Sequence, residues 1–335
     1  MFLSPSIMAL MLVSALVSLM MLLASAFAIQ VIRFWDIKSG SEKQLNLERR
    51  TYLISTLLGW VFAAELISLL LFIYNAEAMS GQFVGAMCAT GVLNANDWGW
   101  PTLFLKISIF FSGAAWLVLN NLDNKGFDYP LIKLKYGLLL LIAPLVVAEL
   151  VVQTRYFSEL NPDVITSCCG ALFSADAEGV AAEVSGLKPK TAMLALYGTG
   201  LFTIFSGLWY IKKRSFGWLF ALSGGLAFIV ALVTIVSFIA LYVYEHPHHH
   251  CPFCILKSGH DFVGYALYIP LFLATALALG TGALSPWKNK PSLRDAVEVS
   301  APKMAWFSIA LFALFYLLSI WSVLSSNLVM TGVWW

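Results

Sequence analysis

The fold of this chain is decided by one uncharged stretch, which begins at Phe216, ends at Tyr244 and runs FGWLFALSGGLAFIVALVTIVSFIALYVY. It is longer than the ~20 apolar residues that a helix needs to cross a bilayer. The rest of the chain has the same character: 60% of the 335 residues are hydrophobic and 11% are charged. A soluble domain averages about 25% charged residues. The sequence therefore predicts an integral membrane protein.

Further apolar runs of similar length recur along the chain, and each is close to what a membrane span requires. We expect an all-α, polytopic transmembrane helical bundle of about eight spans. The predicted spans are 5–32, 51–74, 101–122, 136–156, 191–211, 216–244, 262–286 and 304–332. The loops between them are too short for a soluble domain of ordinary size. Residues 1–335 are therefore predicted to form a single integral membrane domain.

The lysine and arginine residues are distributed unequally between alternate loops. Fifteen of the 20 basic residues fall in four loops, at 33–50, 123–135, 212–215 and 287–303. The three alternate loops, near 75–100, 157–190 and 245–261, contain only Lys188, Lys190 and Lys257. Positively charged loops stay in the cytoplasm. We therefore place the alternate loops and both termini on the outer, periplasmic side of a plasma (inner) membrane.

The first apolar run has a second interpretation. Ala26-Phe27-Ala28 is typical of a signal-peptidase site, which would make the run a cleaved signal. However, no basic residue precedes the run, and cleavage would put the basic loop 33–50 outside. The charge distribution therefore favours an uncleaved first span.

The residues that carry metal and redox chemistry are concentrated in one predicted outer loop. This loop contains all five histidines and two of the five cysteines, in Glu245-His-Pro-His-His-His-Cys-Pro-Phe-Cys254 followed by His260. Imidazole and thiolate are ligands for copper and zinc, and a dense Cys/His tract is typical of metal binding. We expect copper or zinc to be held by ligands among His246, His248, His249, His250, Cys251, Cys254 and His260.

The spacing of Cys251 and Cys254 is compatible with three roles. Such a pair can bind one metal ion, act as a catalytic thiol–disulfide pair, or form a static disulfide on an oxidising outer face. The remaining cysteines lie in the other predicted outer loops, and we expect Cys88, Cys168 and Cys169 to complete the metal site or to pass metal on. Because five cysteines cannot all pair within one chain, at least one is free, metal-bound or intermolecular.

Three ionisable residues fall within predicted spans: Glu65, Lys106 and Glu149. At about 1.5 Å of rise per residue, all three lie in the outer half of the bilayer. Charges at that depth are costly, usually paired and often functional. We therefore predict a Glu–Lys–Glu cluster. It could serve as a proton path, a cation site or an anchor for a quinone head group, or it could be a structural ion pair that fixes helix register.

Two hypotheses for function come from different classes of protein. The leading one is a plasma-membrane protein that binds copper, or else zinc, at its outer face. Its role would be metal handling or maturation of an extracytoplasmic metalloenzyme, with a periplasmic or membrane protein as partner. The alternative is a membrane thiol–disulfide oxidoreductase that passes electrons from Cys251 and Cys254 to quinone. A third hypothesis is a structural subunit of a respiratory complex, and whether the chain is an enzyme is left open.

The pattern also argues against several partners. No histidine lies inside a predicted span, so a b-type haem is not expected. Ile255 stands where a c-type haem motif requires histidine. The chain has no nucleotide-binding motif, and its basic residues are divided among loops rather than gathered in one patch. We therefore expect the lipid bilayer, and neither nucleotide nor nucleic acid, as a partner.

Overall fold

The structure is a computed structural model that describes residues 4–166, 184 and 186–330. In that part of the chain it is helical and has no strand. Eight helices are long and apolar enough to cross a membrane. They are α1 (Pro5–Phe34), α2 (Glu42–Ala78), α3 (Gly99–Asp123), α4 (Ile132–Ser158), α5 (Pro189–Lys213), α6 (Gly217–Tyr244), α7 (Val263–Leu284) and α8 (Arg294–Leu324). The predicted fold class and number of spans are confirmed, whereas the orientation of the termini stays a prediction.

Short helical segments lie between these long helices. A helix of one turn, Ala89–Leu93, follows α2. Four 3-10 turns lie at Ser80–Gln82, Cys254–Leu256, Ser258–His260 and Ser285–Asn289. Near its end α6 contains a π-helical segment, Ile235–Ile239, a feature that occurs often at functional sites. Cys88 directly precedes Ala89–Leu93, Cys254 begins a 3-10 turn, and Cys251 lies three residues before that turn.

The chain divides into two compact units, and the first contains α1 to α4 with the segment Trp287–Glu298. Within it α1 packs against α2 and α4, and α3 packs against the same two helices. The core is built from aromatic contacts, such as Phe62 on Trp116 with ring centroids 4.9 Å apart and Phe27 on Tyr136 at 5.7 Å. This unit also holds the ionisable residues Glu65, Lys106 and Glu149.

Lys135 is buried, although the sequence predicts it among the cations of a loop. It lies in the first turn of α4, where its Nζ is 2.8 Å from Asp123 Oδ2 and both side chains are fully buried. The same Nζ donates a hydrogen bond to Asn120 Oδ1 at 3.0 Å. One of the basic residues used to orient the chain is thus neutralised inside the first unit, and the positive-inside argument depends on the others.

The second unit contains the segment Met79–Val92, α5, α6, α7 and α8 from Val299 onward. Here α6 packs against α5 and α7. A Cβ atom at Gly224 of α6 would lie 2.7 Å from the Cβ of Ala278 in α7, so glycine is what permits this close approach. Glu245 ends α6 in the left-handed conformation, and its Oε1 accepts hydrogen bonds from the N and Nδ2 atoms of Asn327, each at 2.8 Å. The loop that carries the Cys/His tract is therefore fixed where it begins.

Candidate metal centre

Three cysteine side chains meet in the second unit. Cys88, Cys251 and Cys254 are buried, and their three sulfur atoms lie within 4.8 Å of one another. The Cys88 and Cys251 sulfurs are 3.2 Å apart, beyond the 2.03–2.05 Å of a disulfide. The cluster thus joins Cys88 from the segment after α2 to two cysteines from the loop between α6 and α7. Three thiols at this separation could bind a metal ion.

The segment from Cys251 to Lys257 is held by backbone hydrogen bonds at its end and by two tyrosines at its beginning. Phe253 O and Cys254 O accept hydrogen bonds from the N–H groups three residues on, at 2.9 and 3.1 Å, which closes the 3-10 turn. The hydroxyl of Tyr244, the last residue of α6, donates to Cys251 O at 2.5 Å. The hydroxyl of Tyr268 in α7 donates to Pro252 O at 2.9 Å. Both helices that flank the loop therefore determine where the two sulfurs lie.

Cys88 is positioned by the short helix that follows it. The N–H groups of Gly91 and Val92 donate to Cys88 O at 3.0 and 3.5 Å, so the first turn of that helix fixes the cysteine backbone. Upstream, Thr166 N donates to Val84 O at 2.9 Å, which ties the segment to the chain beyond α4. The segment is therefore held by hydrogen bonds on both sides of Cys88.

Of the Cys251 and Cys254 sulfurs, it is Cys251 whose thiolate form is stabilised. Its Sγ lies 3.1 Å from the Thr90 hydroxyl and 3.2 Å from the Cys88 thiol. Hydrogen bonds from the Cys254 and Cys88 thiols lower the pKa of Cys251 well below its ordinary value, and Thr90 adds to the effect. The same hydrogen bond to Cys251, with burial, raises the pKa of the Cys254 thiol. The cluster therefore favours one thiolate, the form that binds metals and acts as a nucleophile.

The histidines of the tract lie in differing environments. His246 and His248 are exposed, whereas the rings of His249 and His260 pack on the Tyr244 ring at centroid distances of 4.0 and 4.7 Å. Among the residues that the structure describes, the group within 4.8 Å consists of the three thiols, without a histidine or carboxylate. The predicted ligands are therefore divided between a buried thiol cluster and histidines that are exposed or half-buried.

His250 has the arrangement that is common for a metal-binding imidazole. Its Nδ1 is 3.0 Å from Val236 O in the π-helical segment of α6, and only a protonated nitrogen can donate to that carbonyl. The Nε2 atom then keeps its lone pair, as in metal-bound histidines whose other nitrogen donates to the backbone. Burial lowers the pKa of His250, and that of His260 as well. A lowered pKa favours the neutral form of each ring, which is the form that metals bind.

Of the remaining predicted residues, the structure describes the three ionisable ones. Cys168 and Cys169 lie outside the described residues. In the first unit, Lys106 Nζ is 2.7 Å from Glu149 Oε1, and Ser68 connects the lysine to Glu65. Sequence reasoning did not identify Thr90, Tyr244 or Tyr268 as parts of the site. Of these three, Thr90 could have been suspected from the sequence, because it lies two residues after Cys88.

Comparison of the chain with family models, with curated proteins and with solved structures gives no match. The function is therefore inferred from the chemistry of these residues. What the arrangement offers is three soft, buried sulfur ligands, one of which readily becomes a thiolate. Such a set can hold a soft metal ion or exchange between thiols and a disulfide.

Proposed function

We propose that this membrane protein binds a soft metal ion, Cu(I) first and zinc second, at Cys88, Cys251 and Cys254. The observation that carries the proposal is the convergence of three buried cysteine sulfurs within 4.8 Å from two segments distant in sequence. Packing brings these sulfurs together although no covalent bond requires it. A shared ligand is the simplest reason for such a cluster to be built.

The number and type of ligands favour Cu(I). Thiolates select soft ions such as Cu(I), and zinc in structural sites is almost always bound by four protein ligands. At a metal–sulfur distance of about 2.3 Å, three sulfurs around one ion lie about 4 Å apart. The observed separations, 3.2 Å for one pair and at most 4.8 Å for the group, bracket that value. Zinc would need one further ligand, for which His250 is the nearest in sequence.

The predicted orientation suggests a role in metal handling outside the cytoplasm. The positive-inside rule puts the cysteine loops on the outer face of the plasma membrane. There the exposed His246 and His248 would be the first ligands that an incoming ion meets, and the buried thiols would be the tighter ones. Transfer to an extracytoplasmic metalloenzyme, through a periplasmic or membrane partner, completes the proposal.

A thiol–disulfide oxidoreductase is the second candidate, and one observation favours it. Cys251 lies against Cys88 and Thr90 and forms a hydrogen-bonded pair with Cys254, so its sulfur has two thiols within reach. In this mechanism a Cys251–Cys254 disulfide takes two electrons and two protons from a partner's dithiol, which becomes a disulfide. The reduced pair then passes two electrons and two protons to quinone, giving quinol and restoring the disulfide.

Metal content separates the two candidates. Full-length protein without an affinity His-tag would be purified in mild detergent, reduced, loaded with Cu(I), desalted and analysed by elemental mass spectrometry. We expect one copper per chain, lost in the Cys251→Ser/Cys254→Ser double variant. It should be retained in Ser258→Ala, an exposed change in the same loop. Protein that holds no metal, but whose cysteine pair is reduced by a dithiol and reoxidised by quinone, would establish the alternative.

A further inference from the structure

The first unit contains a buried cluster of two acids and one base. Glu65, Lys106 and Glu149 are at most 2% exposed, and they come from α2, α3 and α4. Lys106 Nζ lies 2.7 Å from Glu149 Oε1 and donates to Ser68 Oγ at 3.2 Å. The Ser68 hydroxyl in turn donates to Glu65 Oε2 at 3.1 Å. The lysine therefore contacts one carboxylate directly and the other through a serine.

Glu149 is the acid that is equipped to carry a charge. Besides the lysine, its Oε1 accepts a hydrogen bond from the Ser14 hydroxyl of α1 at 3.4 Å. Gln153 Nε2 donates to Ser14 Oγ at 3.0 Å and orients that hydroxyl. The Oε2 of Glu149, like Glu65 Oε1, is buried with no hydrogen-bond partner among the residues that the structure describes. What favours an ionised Glu149 is therefore the lysine at contact distance.

Among the described residues, Glu65 has no cation in direct contact, unlike Glu149. Of its two carboxyl oxygens, Oε2 has the Ser68 hydroxyl, and Oε1 is buried with no hydrogen-bond partner among the residues that the structure describes. No lysine or arginine of the described chain lies within 4.0 Å of this carboxyl. An ionised carboxylate that is buried without a cation is strongly disfavoured and neutralises by taking up a proton.

The charges on the surrounding helices also favour a protonated Glu65. Within its span α1 contributes serines, and its one charged residue, Arg33, lies at the other end. The charges that face Glu65 are Lys106 of α3 and Glu149 of α4, because Asp123 of α3 is paired with the α4 lysine at the far end of these helices. Two ionised acids beside one lysine would leave one uncompensated negative charge inside the unit.

We infer that the Glu65–Lys106–Glu149 cluster is an intramembrane proton-binding site. One proton resides on the Glu65 carboxyl, and Lys106 and Glu149 remain an ion pair. The proton is taken from solvent, forms an O–H bond on Glu65 and leaves the cluster neutral as a whole. Glu65 can release it only when another cation, or a Lys106 freed from Glu149, compensates the charge. Ionisable groups that are retained within a membrane span commonly have such a role.

Infrared spectroscopy of the full-length protein in lipid vesicles at neutral pH tests this site. A protonated carboxyl has a C=O stretch that is resolved from the bands of ionised carboxylates and shifts in D₂O. We expect a single such band in the wild type and none in Glu65→Gln. In Glu149→Gln the band should also vanish, because Lys106 then needs Glu65 as its counter-ion. In Lys106→Met it should double, because both acids then lack a cation.

Asp123→Asn is the matched control, because Asp123 is a buried acid that already has its own lysine. The band should be unchanged in this variant. A wild type without the band, or a band that persists in Glu65→Gln, would overturn the inference. If Glu65→Gln does not accumulate, the comparison of wild type with Glu149→Gln decides, and a band retained in Glu149→Gln would contradict the site.

Discussion

Cys88 Sγ lies 3.2 Å from Cys251 Sγ, although 163 residues separate the two along the chain. The Cys88 backbone is held by hydrogen bonds from the helical turn that follows it, and the Cys251 carbonyl accepts a hydrogen bond from the Tyr244 hydroxyl. The contact is therefore a product of packing within the second unit. One residue contributes a hydrogen bond to the Cys251 sulfur and another holds the loop. The effect of each on metal binding or stability can therefore be tested by a separate substitution.

Replacement of Cys88 by serine should weaken Cu(I) binding more than replacement of an exposed histidine. Cys88→Ser removes one of three sulfur ligands, and we expect a loss beyond the roughly 10- to 100-fold that loss of an outer-shell partner costs. His246→Ala, at an exposed position, should change affinity by less than about tenfold. Competition titration against a Cu(I) chelator measures both. Equal losses in the two variants would place the ion in the histidine tract.

The Thr90 hydroxyl should act as an outer-shell partner of the site. It lies 3.1 Å from Cys251 Sγ, and Thr90→Val keeps the shape of the side chain but removes the hydroxyl. We expect Cu(I) affinity to fall by about 10- to 100-fold while one ion per chain is still bound. Thr90→Ser keeps the hydroxyl and should remain close to the wild type. If valine and serine variants bind equally well, the hydroxyl has no part in the site.

Tyr268 should stabilise the loop between α6 and α7 through one hydrogen bond. Its hydroxyl donates to Pro252 O at 2.9 Å, so Tyr268→Phe leaves that carbonyl without its donor. We expect a loss of about 0.5–1.5 kcal/mol in the free energy of unfolding, seen as a lower melting temperature in detergent. Tyr52→Phe is the control, since that residue is 72% exposed. An unchanged melting temperature in Tyr268→Phe would show that the contact contributes nothing.

The buried pair of Lys135 and Asp123 should show strong coupling in a double-mutant cycle. The two groups lie 2.8 Å apart and are fully buried, so either single change leaves an uncompensated charge. We expect Lys135→Met or Asp123→Asn alone to cost about 3–5 kcal/mol of stability, and the double variant to recover part of it. Chemical unfolding in detergent measures all three. Additive losses would mean that the pair is not coupled.

Most of the fold could be predicted from the sequence because membrane spans carry a local signal. A long uncharged run such as 216–244 is sufficient to predict a helix that crosses a bilayer. The ends of the helices were less predictable: α4 begins at Ile132, so Lys133 and Lys135 lie inside a helix rather than in a basic loop. Loop charge counts do not reveal that Lys135 is buried against Asp123, because that contact depends on tertiary packing.

The sequence could predict only those parts of the candidate site whose residues are close together along the chain. Cys251 and Cys254 are recognisable from their spacing, and the histidines from their density. Which of these residues converge depends on the packing of the second unit. The sequence therefore could not show that the thiols form a cluster without the histidines. Tyr268 gave no signal at all, because a tyrosine in an apolar span is most simply interpreted as packing.

Copper K-edge X-ray absorption of the Cu(I)-loaded, tag-free protein tests most directly whether Cys88, Cys251 and Cys254 share one metal ion. The proposed site predicts a first shell of three sulfurs at about 2.3 Å, and of two sulfurs in Cys88→Ser. A shell of nitrogen or oxygen ligands, unchanged in Cys88→Ser, would contradict it and would place the metal among the histidines instead.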